Sequence, residues 1–333
     1  MLDKDLKPSA IVRYLDQYVI GQDDAKKVLA VAVYSHYRKL AVFDPAAGAM
    51  PKSNVLLIGP SGTGKTLTCE TLSRLLRVPF VTANATSLAQ TRYVNEEIEA
   101  VLQRLVDKAD GDVERARQGI VFIDEIDKLK AAEGPAHAVS GEGVQHALLK
   151  IMDGFPVRMR DGRTVDTANI LFICGGAFVG LDNIRAKSHM YGFIRTSDSD
   201  NQEILGRLNR RVRPSDLIEF GLIPEFTGRL PVIANFGKHS LENLVRILTE
   251  PKNAIYRQFV EIFRGEGVEL SIAPRVFEQL AEIAIEYGTG ARSLRGLFEE
   301  LMTPILYVVP DNPVIRNVVI SSLYEQPVLK GVD

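Results

Sequence analysis

Five short apolar runs punctuate the first part of the chain, at residues 54–58, 78–83, 119–123, 169–174 and 231–234. Each is nearly continuous in its hydrophobicity rather than alternating. A strand that faces water on one side alternates; a strand covered on both sides does not. Between the runs, residues 67–76, 96–108 and 143–152 carry apolar positions at helical spacing. Upstream, residues 10–18 and 24–40 read as two helices separated by Val19-Ile20-Gly21-Gln22, and residues 44–52, with their Gly, Ala and Pro, read as a loop. Strand–helix alternation with buried strands predicts an α/β fold: a parallel sheet flanked by helices.

Beyond residue 240 the pattern changes. Leu241, Leu244 and Leu248 have helical spacing, as do Phe277, Leu280, Ala284 and Tyr287, and then Leu294, Leu297 and Leu301. Residues 268–272 and 318–321 are candidate short strands. The expected division is a larger α/β domain over residues 1–235 and a smaller, mostly helical C-terminal domain over residues 236–333, joined near 235–238. No internal repeat or low-complexity tract interrupts this order.

The first apolar run leads into Gly59-Pro60-Ser61-Gly62-Thr63-Gly64-Lys65-Thr66, followed by a helix from Leu67. Strand, glycine loop and helix in that order form a phosphate cradle. Glycines let successive backbone N–H groups turn inward, the helix adds its positive end, and Lys65 brings a mobile charge to the β and γ phosphates. The Thr66 hydroxyl is a hard oxygen ligand for Mg²⁺. The run at 119–123 ends in Asp124-Glu125. There Asp124 would complete the Mg²⁺ shell and Glu125 would polarise water as a general base. The guanine-reading NKxD string is absent. The chain is therefore read as an ATP-binding protein and a Mg²⁺-dependent ATPase.

Charge narrows the class. Across 333 residues, Lys+Arg is 40 and Asp+Glu 42, giving a net charge of -2, so nucleic acid is not an expected partner. No uninterrupted apolar stretch approaches the roughly 20 residues of a membrane span. The polar start carries no signal core, so a cytoplasmic protein is expected. The two cysteines, Cys69 and Cys174, sit in apolar contexts that suit reduced core thiols, and the five histidines fall in no metal-ligand spacing.

Several longer strings resemble the ClpX family, the AAA+ unfoldases of the Clp protease. They are Tyr18-Val19-Ile20-Gly21-Gln22, the phosphate loop, Ile123-Asp124-Glu125-Ile126-Asp127-Lys128, Val139-Ser140-Gly141-Glu142-Gly143-Val144-Gln145, Gly221-Leu222-Ile223-Pro224-Glu225-Phe226 and Gly228-Arg229-Leu230-Pro231. The resemblance covers nearly the whole chain. It implies an AAA+ fold and a homo-hexameric ring that uses ATP to unfold tagged proteins and thread them through a pore, for a ClpP-type peptidase partner. It also implies roles. Val19 and Ile20 would line the adenine slot. Arg229 would be an arginine finger reaching the γ phosphate of a neighbouring subunit, and Arg292 a second sensor on the subunit's own nucleotide. Tyr93 and Val94 would be the pore-loop pair that grips substrate.

Four departures accompany the resemblance. The family's amino-terminal zinc module has no counterpart, so adaptor docking through it is not expected. The glycines that flank the family's pore-loop pair are replaced by Arg92 and Asn95. The long basic loop at the pore entrance is shortened to residues 157–165, whose alternation around Asp161-Gly162 predicts a β-hairpin; its three arginines would attract acidic tags or form a solvated face. The Ile-Gly-Phe docking tripeptide stands as Tyr191-Gly192-Phe193, which predicts weakened binding to a standard ClpP ring. Two rival readings are an AAA+ remodeller of nucleoprotein complexes working without a protease, and a nucleotide-sensing scaffold that does not hydrolyse. Intact Lys65, Asp124, Glu125, Arg229 and Arg292 argue against the scaffold.

Overall fold

The computed structural model describes residues 6–42, 52–90, 94–130, 141–190 and 211–331. Two helices lead, α1 (Pro8–Leu15) and α2 (Asp23–Val42). Then follow β1 (Val55–Ile58), α3 (Lys65–Leu76), β2 (Phe80–Asn84), α4 (Ala85–Gln90), α5 (Val94–Lys108), α6 (Val113–Ala116) and β3 (Ile120–Asp124). After α7 (Gly141–Met152) come the short strands β4 (Pro156–Arg158) and β5 (Thr164–Asp166), then β6 (Leu171–Gly176), α8 (Leu181–Met190), α9 (Pro214–Phe220), α10 (Pro224–Gly228) and β7 (Val232–Asn235).

The five apolar runs become one parallel sheet in the order β2-β3-β6-β1-β7. The phosphate-loop strand β1 and the acidic strand β3 are separated by β6, which inserts between them. Side chains on a strand alternate between faces, and here both faces are apolar. Val55, Leu57, Ile120 and Phe122 pack with Ile11, Leu29, Val33 and Leu72 of α1–α3. Leu56, Ile58, Val121 and Ile123 pack with Ile98, Leu102, Leu148 and Met152 of α5 and α7. Covering on both sides is why the runs do not alternate. Cys69 and Cys174 lie inside this packing as free thiols, and burial pushes both thiol pKa values up, Cys174 to about 12.

A second core lies after β7. It gathers Leu244 and Leu248 from α11 (Leu241–Thr249), Phe259 and Phe263 from α12 (Ile255–Gly265), Phe277 and Leu280 from α13 (Pro274–Glu286), and Leu294, Phe298 and Met302 from α14 (Ala291–Val308). Against them packs a small sheet: β8 (Glu269–Ile272) parallel to β9 (Ile315–Ile320), and β9 antiparallel to β10 (Val328–Gly331). Strands β8 and β9 sit where short strands are expected; α12 and β10 are additions.

Residues 157–165 do form the expected hairpin, with β4 antiparallel to β5, Val157 opposite Val165, and Gly162 at φ 85° in the turn. Two of its arginines are engaged within the chain: Arg160 pairs with Glu96 at 3.0 Å, and Arg163 with Asp161. One assignment meets a different environment. Val94, expected beside Tyr93 in a substrate-facing pair, is the first residue of α5 and only 9% exposed. Helical spacing places it on the same face as Ile98 and Val101, which carries it into the core. Tyr93, Arg92, Tyr191, Gly192 and Phe193 lie outside the described residues.

Candidate functional site

The loop from Gly59 to Gly64 connects the end of β1 to the start of α3. Its glycines are there for two reasons. Gly62 and Gly64 hold positive φ values of 79° and 93°, which favour glycine. Gly59 passes so close to the segment after β7 that a Cβ would sit 2.2 Å from the Phe236 carbonyl oxygen, and one on Gly62 would sit 2.8 Å from the Thr289 carbonyl oxygen. Lys65 folds back over the loop, its Nζ donating to the Gly59 carbonyl at 2.5 Å and the Pro60 carbonyl at 3.0 Å. Burial lowers its pKa, against the pull of Asp124 and Asp127. An anion in the cradle would relieve that desolvation by giving the ammonium a counter-charge.

Across the cradle stands the end of β3. Asp124 accepts the backbone N–H of Glu125 at 2.8 Å, and Glu125 takes up a left-handed φ of 59° that turns its side chain out of the strand direction. The Glu125 carboxylate is held from the end of β2 and the start of α4: Asn84 Nδ2 and Thr86 Oγ1 each donate to Oε2 at 3.0 Å. These two bonds depress its pKa below the ordinary carboxylate value, keeping it ionised. Asn84 stands opposite Asp124 in the register of β2 and β3, so pairing alone brings it there. Thr66 and Asp124 line one open cleft of about 670 Å³, together with Asn84, Ser87, Glu97 and Arg104. A hydroxyl and a carboxylate lining one cleft are the hard oxygen donors that Mg²⁺ accepts, so the residues fit the ion.

The second core reaches the same place. Arg292 lies in the first turn of α14, its backbone nitrogen 3.2 Å from where a Gly62 Cβ would be. Its charge acts on both Lys65 and Glu125. The connecting segment is tied to the phosphate loop and to the Val19–Gln22 turn. Gln22 exchanges two hydrogen bonds with Gly237, donating to its carbonyl at 2.8 Å and accepting its N–H at 2.9 Å, and also donates to the Thr63 carbonyl at 3.4 Å, beside which His239 stands. Val19 and Ile20 are buried beside the loop, Val19 Cγ1 being 3.9 Å from a Cβ built on Gly64. Beneath them the fully buried Lys26 donates to the Val19 carbonyl at 3.2 Å and pairs with Asp16 and Asp23, fixing the turn between α1 and α2.

Arg229 is elsewhere. It follows α10, and its carbonyl accepts from Asn54 Nδ2 at 3.2 Å, at the start of β1. The phosphate loop leaves the other end of that strand, so the strand's length, on the order of 15 Å at about 3.3 Å per residue, separates Arg229 from its own subunit's cradle. Val19, Ile20, Gly59, Pro60, Ser61, Gly62, Thr63, Gly64, Lys65, Thr66, Asp124, Glu125 and Arg292 thus gather at one junction, and Arg229 does not join them. Sequence reading missed Asn84, Thr86, Gln22, His239 and Lys26. Only Asn84, the first polar residue after an apolar run, carried a local signal.

Residues 50–233 match the family model described as AAA domain (Cdc48 subfamily). Among curated relatives, the ATP-dependent Clp protease ATP-binding subunit ClpX of Bacteroides fragilis is 44% identical, covering 91% of this chain and 77% of its own. The protein of the same name in Treponema denticola is 41% identical over 98% of this chain and 84% of its own. The ATP-dependent Clp protease ATP-binding subunit ClpX 3 of Methylococcus capsulatus is 44% identical over 95% and 79%.

Proposed function

The chain belongs to the ClpX family of AAA+ ATPases, and on that premise we propose that it couples ATP hydrolysis at the junction of its two cores to the unfolding of protein substrates. It is an ATPase and an ATP-dependent unfoldase chaperone. The observation that carries the site assignment is the convergence of the phosphate loop, Asp124, Glu125 and Arg292 across both cores. The backbone N–H groups of Gly62–Lys65 and the Lys65 ammonium hold the β and γ phosphates; Val19 and Ile20 close on the adenine. Thr66 and Asp124 hold Mg²⁺, which supplies positive charge to the phosphate oxygens when bound. Glu125, aimed by Asn84 and Thr86, orients and deprotonates the attacking water.

The finer reading is a homo-hexameric ring. Arg229, remote from its own cradle, stabilises the transition-state charge on a neighbour's nucleotide, and the units 1–235 and 236–333 turn about residues 236–240 as nucleotide changes. Tyr93 grips the polypeptide of unfolded or tagged substrates, and Tyr191-Gly192-Phe193 docks a ClpP-type peptidase more weakly than the family's Ile-Gly-Phe. Replacement Glu125→Gln tests the core of this reading. It is expected to retain ATP binding while turnover falls by about 10²–10⁴, and with it the ATP-driven unfolding of a tagged fluorescent protein. Turnover equal to that of the unaltered chain would remove Glu125 from the mechanism.

A further inference from the structure

Arg229 is held by a carboxylate of its own subunit. Its closest approach is Nε to Asp153 Oδ1 at 2.6 Å, just past the end of α7, and among the described residues the guanidinium has no other ion-pair partner and its terminal nitrogens donate no hydrogen bond. We propose that Asp153 is the positioning residue for Arg229: its carboxylate pairs with the guanidinium, most closely at Nε, and leaves the terminal nitrogens, which donate no hydrogen bond, to reach the phosphate of a neighbouring subunit. This rests on the reading that Arg229 acts on the neighbour's nucleotide. A contact meant to lock the arginine away would occupy the fork itself, the part that matches phosphate geometry.

The surroundings fit a holder. The Arg229 backbone is fixed twice, its N–H donating to the Phe226 carbonyl at 3.1 Å and its carbonyl accepting from Asn54. Asp153 is fixed by its own N–H, which donates to the Leu149 carbonyl at 2.9 Å at the end of α7. Both side chains are partly exposed, Arg229 at 51% and Asp153 at 39%, so the pair orients the guanidinium without binding it tightly. Lys52 lies within electrostatic range of Asp153. Its Nζ donates to the Thr167 carbonyl at 2.7 Å and lies 4.6 Å from the centre of the Phe172 ring. Burial pushes the Lys52 pKa down to about 7, while Asp166 and Asp153 pull it back up.

Steady-state ATPase kinetics with thermal melting tests this in four proteins: Asp153→Asn, Asp153→Glu, Arg229→Ala, and Asp153→Asn combined with Arg229→Ala. The expected result is a kcat about tenfold lower in Asp153→Asn. KM for ATP should stay within about twofold, because the subunit's own cradle is untouched. Asp153→Glu should recover most of the rate, and Asp153→Asn should cost nothing further once Arg229 is alanine. An unchanged or higher kcat in a folded Asp153→Asn overturns the proposal. So does an equal further loss in the Arg229→Ala background, which would mark a structural role. Mixed rings separate this from the reading beneath it. Arg229→Ala subunits combined with Lys65→Ala subunits regain activity if the arginine works between subunits; co-assembly without recovery removes that reading, and this proposal with it.

Discussion

His36 is a buried imidazole on α2 whose Nε2 lies 3.1 Å from the Asn169 carbonyl, and burial, with Lys52 adding to it, lowers its pKa to about 4. In the unfolded chain the same ring titrates near 6.5. Between those values the unfolded state binds a proton that the folded state refuses, so stability falls as pH drops from about 6.5 toward 4. The full difference corresponds to roughly 3 kcal/mol. Denaturant unfolding at pH 7 and pH 5 should therefore show a lower midpoint at pH 5, and His36→Phe should flatten the difference even while lowering stability at both pH values. At this scale legibility depended on whether chemistry came with a spacing. Lys65, Thr66, Asp124 and Glu125 announced themselves because the phosphate cradle fixes residue types at fixed intervals. Asn84 at the end of β2 and Thr86 in the first turn of α4 hold Glu125 from a distant part of the sequence. Their relation to it exists only once β2 and β3 pair.

Elements were legible where burial was complete. All five sheet strands lie where continuous apolar runs predict them, but their ends move for local reasons. Strand β2 begins at Phe80 rather than residue 78; Pro79, with no N–H to donate, stands before it. Strand β6 runs on through Gly175 and Gly176, which pair with Leu57 and Ile58 although neither carries an apolar side chain. The Phe122 ring fills the space a Gly175 side chain would need, 2.7 Å from a built Cβ. Helix α12 carries a legible helical apolar face, Ile255, Tyr256, Phe259, Val260 and Phe263, whereas β10, with all four of its residues exposed, offers no burial pattern. The tightest joint between elements is Gly59 against Phe236. Gly59→Ala should cost about 3 kcal/mol by overpacking, read by chemical denaturation. Nucleotide affinity should fall with it, because the loop and the segment after β7 cannot both keep their places.

At the scale of the whole molecule, the separation of Arg229 from its own cradle predicts assembly. Glu125→Gln, holding ATP without consuming it, should run at six times the chain mass by light scattering, and Arg229→Ala should weaken that association. A mass unchanged by ATP would argue against a nucleotide-built ring. Nothing in single-sequence periodicity reveals such assembly, since its contacts would lie between chains; the family strings carried the expectation. Strand β1 gives the arrangement a further property. Asn54 at its head secures Arg229, and Gly59 at its tail opens the phosphate loop. Flanked on both sides by β6 and β7, the strand between them is inextensible. Under the proposed assembly it would act as a ruler, setting the offset between the nucleotide a subunit receives and the charge it offers to the next. In the proposed ring, a small tilt of one subunit would then advance the neighbour's catalytic geometry by a fixed step, so the phase of the cycle would pass around the circle mechanically, without a diffusing messenger.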